Sequence, residues 1–210
     1  MLFRSTLNAF RTAKIDILVG TQMIAKGLHF PNVTLVGIIY ADMALHQPDF
    51  RAGERTFQLL TQVAGRAGRG DIEGEVFVQA FTPFHPAIQY ARRHDFVGFY
   101  EQEMEFREQL NYPPVGRVAL LTLKGRNEDK VKFSAEHLKR ELEKLKADKP
   151  TISGPSPSPL LRAESLYRYQ IMLRTRAMSR LSQALAKIVG TLVLPDDVTL
   201  AVDIDPVNLS

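Results

Sequence analysis

The sequence contains no cysteine, and the dipeptide Gly-Lys occurs nowhere in its 210 residues. The first absence excludes disulfides and thiolate metal sites. The second excludes a phosphate loop of the form G-x-x-x-x-G-K-[ST], whose lysine reaches the terminal phosphates of a nucleotide. No Asp-Glu pair follows an apolar run to hold magnesium. Long hydrophobic runs are missing too. The longest uncharged stretch, Gly27 to Ala41, has 15 residues and is interrupted by Pro31, too short to cross a bilayer. After Met1, "LFRSTLNAF" places polar residues where a signal peptide needs a continuous apolar segment. A soluble, cytoplasmic protein is the expectation.

What is present is an ordinary globular composition, 45% hydrophobic and 24% charged. The net charge of +4 and a pI near 9.4 suit contact with phosphates without demanding it.

Apolar periodicity predicts an α/β first half. Leu2, Phe3, Leu7 and Phe10 fall at helical spacing. "DILVG" (16–20), "TLVGIIYAD" (34–42) and "GEVFVQAF" (74–81) read as buried strands of a parallel sheet. A helix is expected from about Phe50 to Ala67, another over Pro86–Arg93, and a third, capped by Asp95, to about Leu110. "NYPPVG" (111–116) stops helix formation, because proline lacks an N–H and restricts its predecessor. That sets the expected boundary between domains 1–114 and 115–210. Beyond it come a strand (117–125), a charged amphipathic helix (127–147), a proline-rich extended segment (150–159), a strand (165–175), a helix (178–193) and a strand (198–206). The order β-α-β-β-α-β is that of a ferredoxin-like domain. No repeat or low-complexity tract is evident.

The segment "TQVAGRAGRG" (61–70) carries the chemistry. Gln62, Gly65, Arg66, Gly68 and Arg69 fit Q-x-x-G-R-x-G-R. Guanidinium groups stay charged and offer forked donors to polyphosphate oxygens. The intervening glycines let the backbone approach a nucleotide without Cβ clashes. An arginine at a transferring γ-phosphoryl group stabilises charge in the transition state. A surface turn with incidental charges is the competing reading. Upstream, "ILVGTQMIAKGLHFPNV" (17–33) places Gly20, Thr21 and Gln22, then Lys26, just past an apolar run. Hydroxyl, amide and backbone there can contact a nucleic-acid backbone, and a plain helix N-cap at Thr21 is the alternative.

The two segments together resemble motifs V and VI of superfamily 2 helicases. "GTQMIAKGLHFPNVTLV", "ADMALHQPDFRAGERTFQLLTQVAGRAGRG" and "HDFVGFYEQEMEFREQLNYPP" resemble the primosomal replication-restart helicases, the primosomal protein N′ family. "GPSPSPLLRAESLYRYQIMLRT…VDIDP" is similar to that family's C-terminal domain. The resemblance implies a partial RecA-like helicase lobe 2 followed by the ferredoxin-like domain. It implies an ATP-dependent 3′→5′ DNA helicase that reloads the replication machinery at forks. Its nucleotide would be ATP with Mg²⁺, and its partners forked and single-stranded DNA, single-stranded DNA-binding protein and primosome proteins. No membrane is involved, and a monomer is expected. On this reading Gln62, Arg66 and Arg69 face the nucleotide, with Gly65 and Gly68 beside it. Arg69 is the expected arginine finger and Arg66 its competitor. Gly20, Thr21, Gln22 and Lys26 would couple the ATP site to DNA. Asp49, Phe50, Arg51, Glu54 and Arg55 belong to the matched stretch and receive no individual roles; a salt-bridge reading serves them equally. The phosphate loop, the magnesium carboxylates and the family's zinc cysteines all belong to upstream regions, so the chain reads as a fragment that by itself neither hydrolyses ATP nor unwinds DNA. A non-catalytic nucleic-acid-binding or protein-docking module is the alternative.

In "SLYRYQIMLRT", alternation puts Tyr167, Tyr169, Ile171 and Leu173 on one face and Arg168, Gln170, Met172 and Arg174 on the other. Across residues 160–180, Arg162, Arg168, Arg174, Arg176 and Arg180 oppose only Glu164. Arg168 and Arg174 are candidate DNA contacts, through phosphates and with aromatic rings nearby for bases. Solvated arginines on the outer face of a sheet are the competing view. Asp203 and Asp205 read as strand-end alternation. The five histidines have no ligand-like spacing.

Overall fold

The computed structural model describes residues 2–21, 30, 33–65, 67, 74–145 and 149–209. They form a mixed α/β fold in two compact units, Met1–His46 with Arg51–Phe99, and Gln47–Phe50 with Tyr100–Ser210.

The first unit holds helix α1 (Leu2–Arg11), strand β1 (Leu35–Ile38), a short 3-10 turn (Met43–His46), helix α2 (Ala52–Ala64), strand β2 (Glu75–Val78), helix α3 (Pro86–Arg93) and the start of helix α4 (Phe96–Leu110). β1 and β2 pair in parallel with Leu35 opposite Glu75 and Ile38 opposite Val78. Helix α3 starts where proline costs nothing, at the first turn, and the His85 imidazole accepts the Ala87 N–H at 3.2 Å. It ends at His94 in the left-handed region, φ 54°. Asp95 caps α4 by accepting the Gly98 N–H at 2.8 Å, as read from sequence. The core of this unit is Ala41, Phe57, Leu60, Ala87, Ile88, Ala91 and Phe99, with the Phe57 and Phe99 rings stacked at 4.4 Å.

One expected strand does not form. Residues 16–20 are irregular, and Ile17 and Val19 are 80% and 86% exposed. A strand requires a neighbour for its N–H and C=O groups. Among the described residues β1 and β2 pair only with each other. The apolar run supplies β propensity but no ladder.

The second unit contains β3 (Arg117–Gly125), α5 (Glu128–Glu143), β4 (Thr151–Ala163), β5 (Leu166–Thr175), α6 (Met178–Thr191) and β6 (Val198–Ile204), with the remainder of α4 ahead of them. Its strands lie in the order β4-β5-β3-β6, with every neighbouring pair antiparallel. The extended proline-rich segment is thus a strand, longer than its sequence indicates. Pro155, Pro157 and Pro159 fit because β4 is an edge strand, with register shifts between Ser153 and Ser156 and between Pro157 and Arg162. Asn127 caps α5 by accepting the Lys130 N–H at 3.0 Å, and Glu128 and Asp129 occupy the electropositive first turn.

The two faces of this sheet differ. Ala119, Leu121, Leu123, Tyr169, Ile171 and Leu173 pack against Val131, Ala135, Leu138 and Leu142 of α5 and Met178, Leu181 and Leu185 of α6. On the opposite face Val118, Leu120 and Met172 gather Phe50, Tyr112 and Leu209. The Phe50 and Tyr112 rings stack at 4.8 Å, and the Arg107 guanidinium lies 5.2 Å from the Phe50 ring centre. Arg107 itself is held by Glu103 at 2.9 Å and the Pro113 carbonyl at 3.2 Å.

Candidate functional site

Helix α2 leads into the Q-x-x-G-R-x-G-R segment. Thr56, Phe57 and Leu60 point inward, and Gln62, one turn beyond Gln58, stands exposed on the opposite side. The helix closes at Gly65, whose N–H reaches the Thr61 carbonyl at 3.2 Å. Gly65 has φ −67°, and a Cβ there would meet nothing nearer than the Thr61 carbonyl at 3.6 Å. The fold therefore does not demand glycine at this position. A backbone left bare and exposed at a helix end suits close approach of a ligand. Arg66, Gly68 and Arg69 lie outside the described residues, as do Gln22 and Lys26. Gly20 and Thr21 are exposed in irregular backbone, not at the end of a strand.

At the C-terminal ends of the two parallel strands the chain forms a feature the sequence did not announce. Asp42, four residues past β1, is fully buried. Its Oδ2 accepts both the Thr82 N–H at 2.7 Å and the Thr82 hydroxyl at 2.6 Å, joining the segments that follow β1 and β2. The Thr82 hydroxyl, ahead of the opposing effect of burial, holds the Asp42 carboxyl below its ordinary value. The other oxygen, Oδ1, is buried without a hydrogen-bond partner. No composition or spacing marks this aspartate; only the pairing of two post-strand segments reveals it.

In the second unit the candidate arginines differ in their engagement. Arg174 donates to the Leu110 carbonyl at 2.9 Å and the Ser153 hydroxyl at 3.3 Å, and lies 4.7 Å from the Tyr112 ring centre. Arg168 sits directly opposite Lys124 in the β3–β5 ladder. Arg162 lies 5.3 Å from the Tyr167 ring centre. Arg176 and Arg180 line an open cavity of about 420 Å³ together with Arg117. There Arg176 donates to Asn111 Oδ1 at 3.1 Å, and Arg117 is paired with Asp205. Asp205, expected to be incidental, is thus the partner of Arg117.

Among the described residues no helix is long and apolar enough to cross a membrane, and no group of three His, Asp or Glu residues is placed to hold a metal ion.

Comparison with known proteins gives these units a lineage. Residues 4–71 match the family model described as helicase conserved C-terminal domain, and residues 108–207 the one described as primosomal protein N C-terminal domain. The curated relatives include the replication restart protein PriA of Bacillus subtilis, 48% identical over 182 residues, which are 87% of this chain and 23% of that protein. PriA of Synechocystis is 40% identical over 206 residues, 98% of this chain and 24% of that protein. PriA of Treponema pallidum is 40% identical over 209 residues, 98% of this chain and 31% of that protein. The chain thus joins helicase C-terminal sequence to a primosomal C-terminal domain, and it spans about a quarter of the length of the first two relatives. It belongs to the replication restart protein PriA family.

Proposed function

We propose that this chain supplies the motif V and VI half of the ATP site, and a DNA- and partner-binding C-terminal domain, of an ATP-dependent 3′→5′ DNA helicase acting in replication restart and primosome assembly. The observation that carries the reading is that the described start of the Q-x-x-G-R-x-G-R segment, at the end of α2, has Gln62 exposed and room around Gly65 for close approach. Arg69 is the arginine finger, Arg66 its competitor for that role, and Gly68 a nucleotide-binding position. ATP supplies the phosphoanhydride whose cleavage drives the motor. Its magnesium carboxylates and lysine cradle belong to the other lobe, and zinc to the upstream part of the family. Gly20, Thr21, Gln22 and Lys26 couple that site to DNA.

The first domain extends to residue 114 as a partial RecA-like lobe 2, and 115–210 is a ferredoxin-like domain; the β-α-β-β-α-β order with strand order β4-β5-β3-β6 supports this. Arg168 and Arg174 mark its DNA side. Because the Arg174 guanidinium already serves Leu110 and Ser153, the reading leans on Arg168. Forked and single-stranded DNA, single-stranded DNA-binding protein and primosome proteins are the partners. The working form is a cytoplasmic monomer at replication forks.

The test is ATPase activity. The purified chain alone is expected to show no DNA-stimulated turnover, and the full-length protein to lose turnover when Arg69→Ala is introduced. ATP hydrolysis by the isolated chain would refute the division of the site between two lobes. Full turnover in the Arg69→Ala protein would favour a non-catalytic binding or docking module.

A further inference from the structure

The outer face of the second unit's sheet changes character along β3 and β5. At one end Val118, Leu120 and Met172 are covered by Phe50, Tyr112 and Leu209. At the other, two successive in-register pairs are polar: Thr122 opposite Gln170, and Lys124 opposite Arg168. Neighbouring positions across an antiparallel pair put Cβ atoms about 5 Å apart, and alternate residues along a strand lie about 7 Å apart. Four side chains able to donate hydrogen bonds therefore occupy one small block.

The charges of this block call for an anion. Like charges directly opposite each other in a sheet oppose folding, and no carboxylate stands directly across from either. Asp203 of β6 lies two same-face positions along, opposite Leu120. The residue across from Lys124 on β6 is Thr199. Among the described residues, none of the four side chains has a hydrogen-bond or ion-pair partner. Thr122 and Gln170 are 9% and 8% exposed. Neither is among the described residues whose buried polar atoms lack a partner, so the hydroxyl and the amide stay open to solvent and to a ligand. Two cations beside a hydroxyl and an amide match the donors that a phosphodiester's two free oxygens accept.

We propose that Lys124, Arg168, Thr122 and Gln170 form a seat for one phosphodiester group of single-stranded DNA. This deepens the reading of Arg168 as a DNA contact and rests on it. Lys124 and Arg168 supply the charge. Thr122 and Gln170 fix the position of the phosphate without adding to the salt dependence.

The test is binding of a fluorescent oligothymidylate to the whole chain, titrated between 50 and 200 mM salt. Each phosphate neutralised on a single strand contributes about 0.7 to the slope of log affinity against log salt. Lys124→Gln is expected to flatten the slope by about that amount, which corresponds to about fivefold weaker binding at 0.1 M salt. Gln170→Leu is expected to weaken binding with the slope unchanged. Lys139→Gln, on α5, leaves both unchanged. Melting temperatures separate folding from binding: Lys124→Gln should melt at or above the parent temperature, since a like-charge pair is removed. Salt-dependent binding that Lys124→Gln leaves untouched overturns the seat while the DNA reading stands. A parent chain that binds the oligonucleotide with no salt dependence defeats both. A polyglutamate peptide bound in a Lys124-dependent manner, with DNA not bound, overturns the seat in favour of an acidic protein partner.

Discussion

Thr82 offers Asp42 both of its donors, the backbone N–H at 2.7 Å and the hydroxyl at 2.6 Å, and the carboxylate that accepts them is fully buried. This relationship fastens the segments leaving the two parallel strands. It also carries a pH dependence. The carboxyl lies below its ordinary value of 3.8 in the folded state, chiefly through the Thr82 hydroxyl. A group depressed on folding contributes stability that is present above the unfolded value and is lost as pH falls through the folded one. Unfolding followed between pH 5 and pH 2 should show this loss. Thr82→Val, which keeps the shape and the N–H but removes the hydroxyl, should lower the neutral-pH melting temperature by several degrees and flatten the acid limb. An unchanged acid limb would mean that the hydroxyl does not hold the carboxylate.

The opposite sign belongs to Tyr169. Its hydroxyl donates to Glu128 Oε1 at 3.0 Å, from β5 to the first turn of α5. Burial first, and the Glu128 bond second, push the phenol above its ordinary value of 10.0. The folded state therefore keeps its proton while the unfolded chain begins to lose one. Stability from this group is complete below pH 10 and falls as pH rises through the folded value. Ultraviolet titration of phenolate should find one tyrosine ionising late. Tyr169→Phe should remove that late step and cost about 1 kcal/mol at neutral pH, the usual net worth of such a bond.

Two glycines separate fold from site. A Cβ at Gly116 would run into the Asn111 carbonyl oxygen, backbone that cannot step aside. Gly116 also donates its N–H to the Tyr112 carbonyl at 3.0 Å, closing the turn after α4. Gly116→Ala should destabilise the protein by about 2 kcal/mol or more, read as a fall in denaturant midpoint. Gly65→Ala meets only ordinary contacts at φ −67° and should be neutral or slightly stabilising. On the proposed reading of Gly65 as a nucleotide contact, the same change in the full-length protein should depress ATP turnover. A destabilised Gly65→Ala protein would remove the separation.

Local chemistry made much of this architecture readable. Pro86 and Asp95 fix two helix starts, and alternation in "SLYRYQIMLRT" puts Tyr167, Tyr169, Ile171 and Leu173 on one face, of which the last three lie in the core. Non-local relations escaped it. Ile17 and Val19 have the composition of a buried strand, but composition does not say whether a neighbouring strand exists. Asp42 resembles any aspartate after a strand until Thr82, forty residues on, is placed beside it. The two polar pairs on β3 and β5 depend on register, which a single strand's pattern leaves open.

Phe50 shows the same limit most sharply. It lies in "HQPDFRAGER", beside residues with a charged, site-like character, and nothing local distinguishes it from them. In the structure it is 9% exposed and packs with Val118, Leu120 and Leu209 on the outer face of the second unit's sheet. Its ring stacks on Tyr112 beneath the Arg107 guanidinium. Phe50 thus packs segment 47–50 into the second unit. Phe50→Ala removes the stacked ring and leaves a cavity against β3, at a cost of about 3 kcal/mol. Phe50→Leu, retaining volume but not the ring, should cost about half as much. Calorimetry of the whole chain should place both losses in the transition of the second unit. If Phe50→Ala instead melted like the parent and impaired only ATP turnover in the full-length protein, Phe50 would belong to the motor site and not to the packing of this sheet.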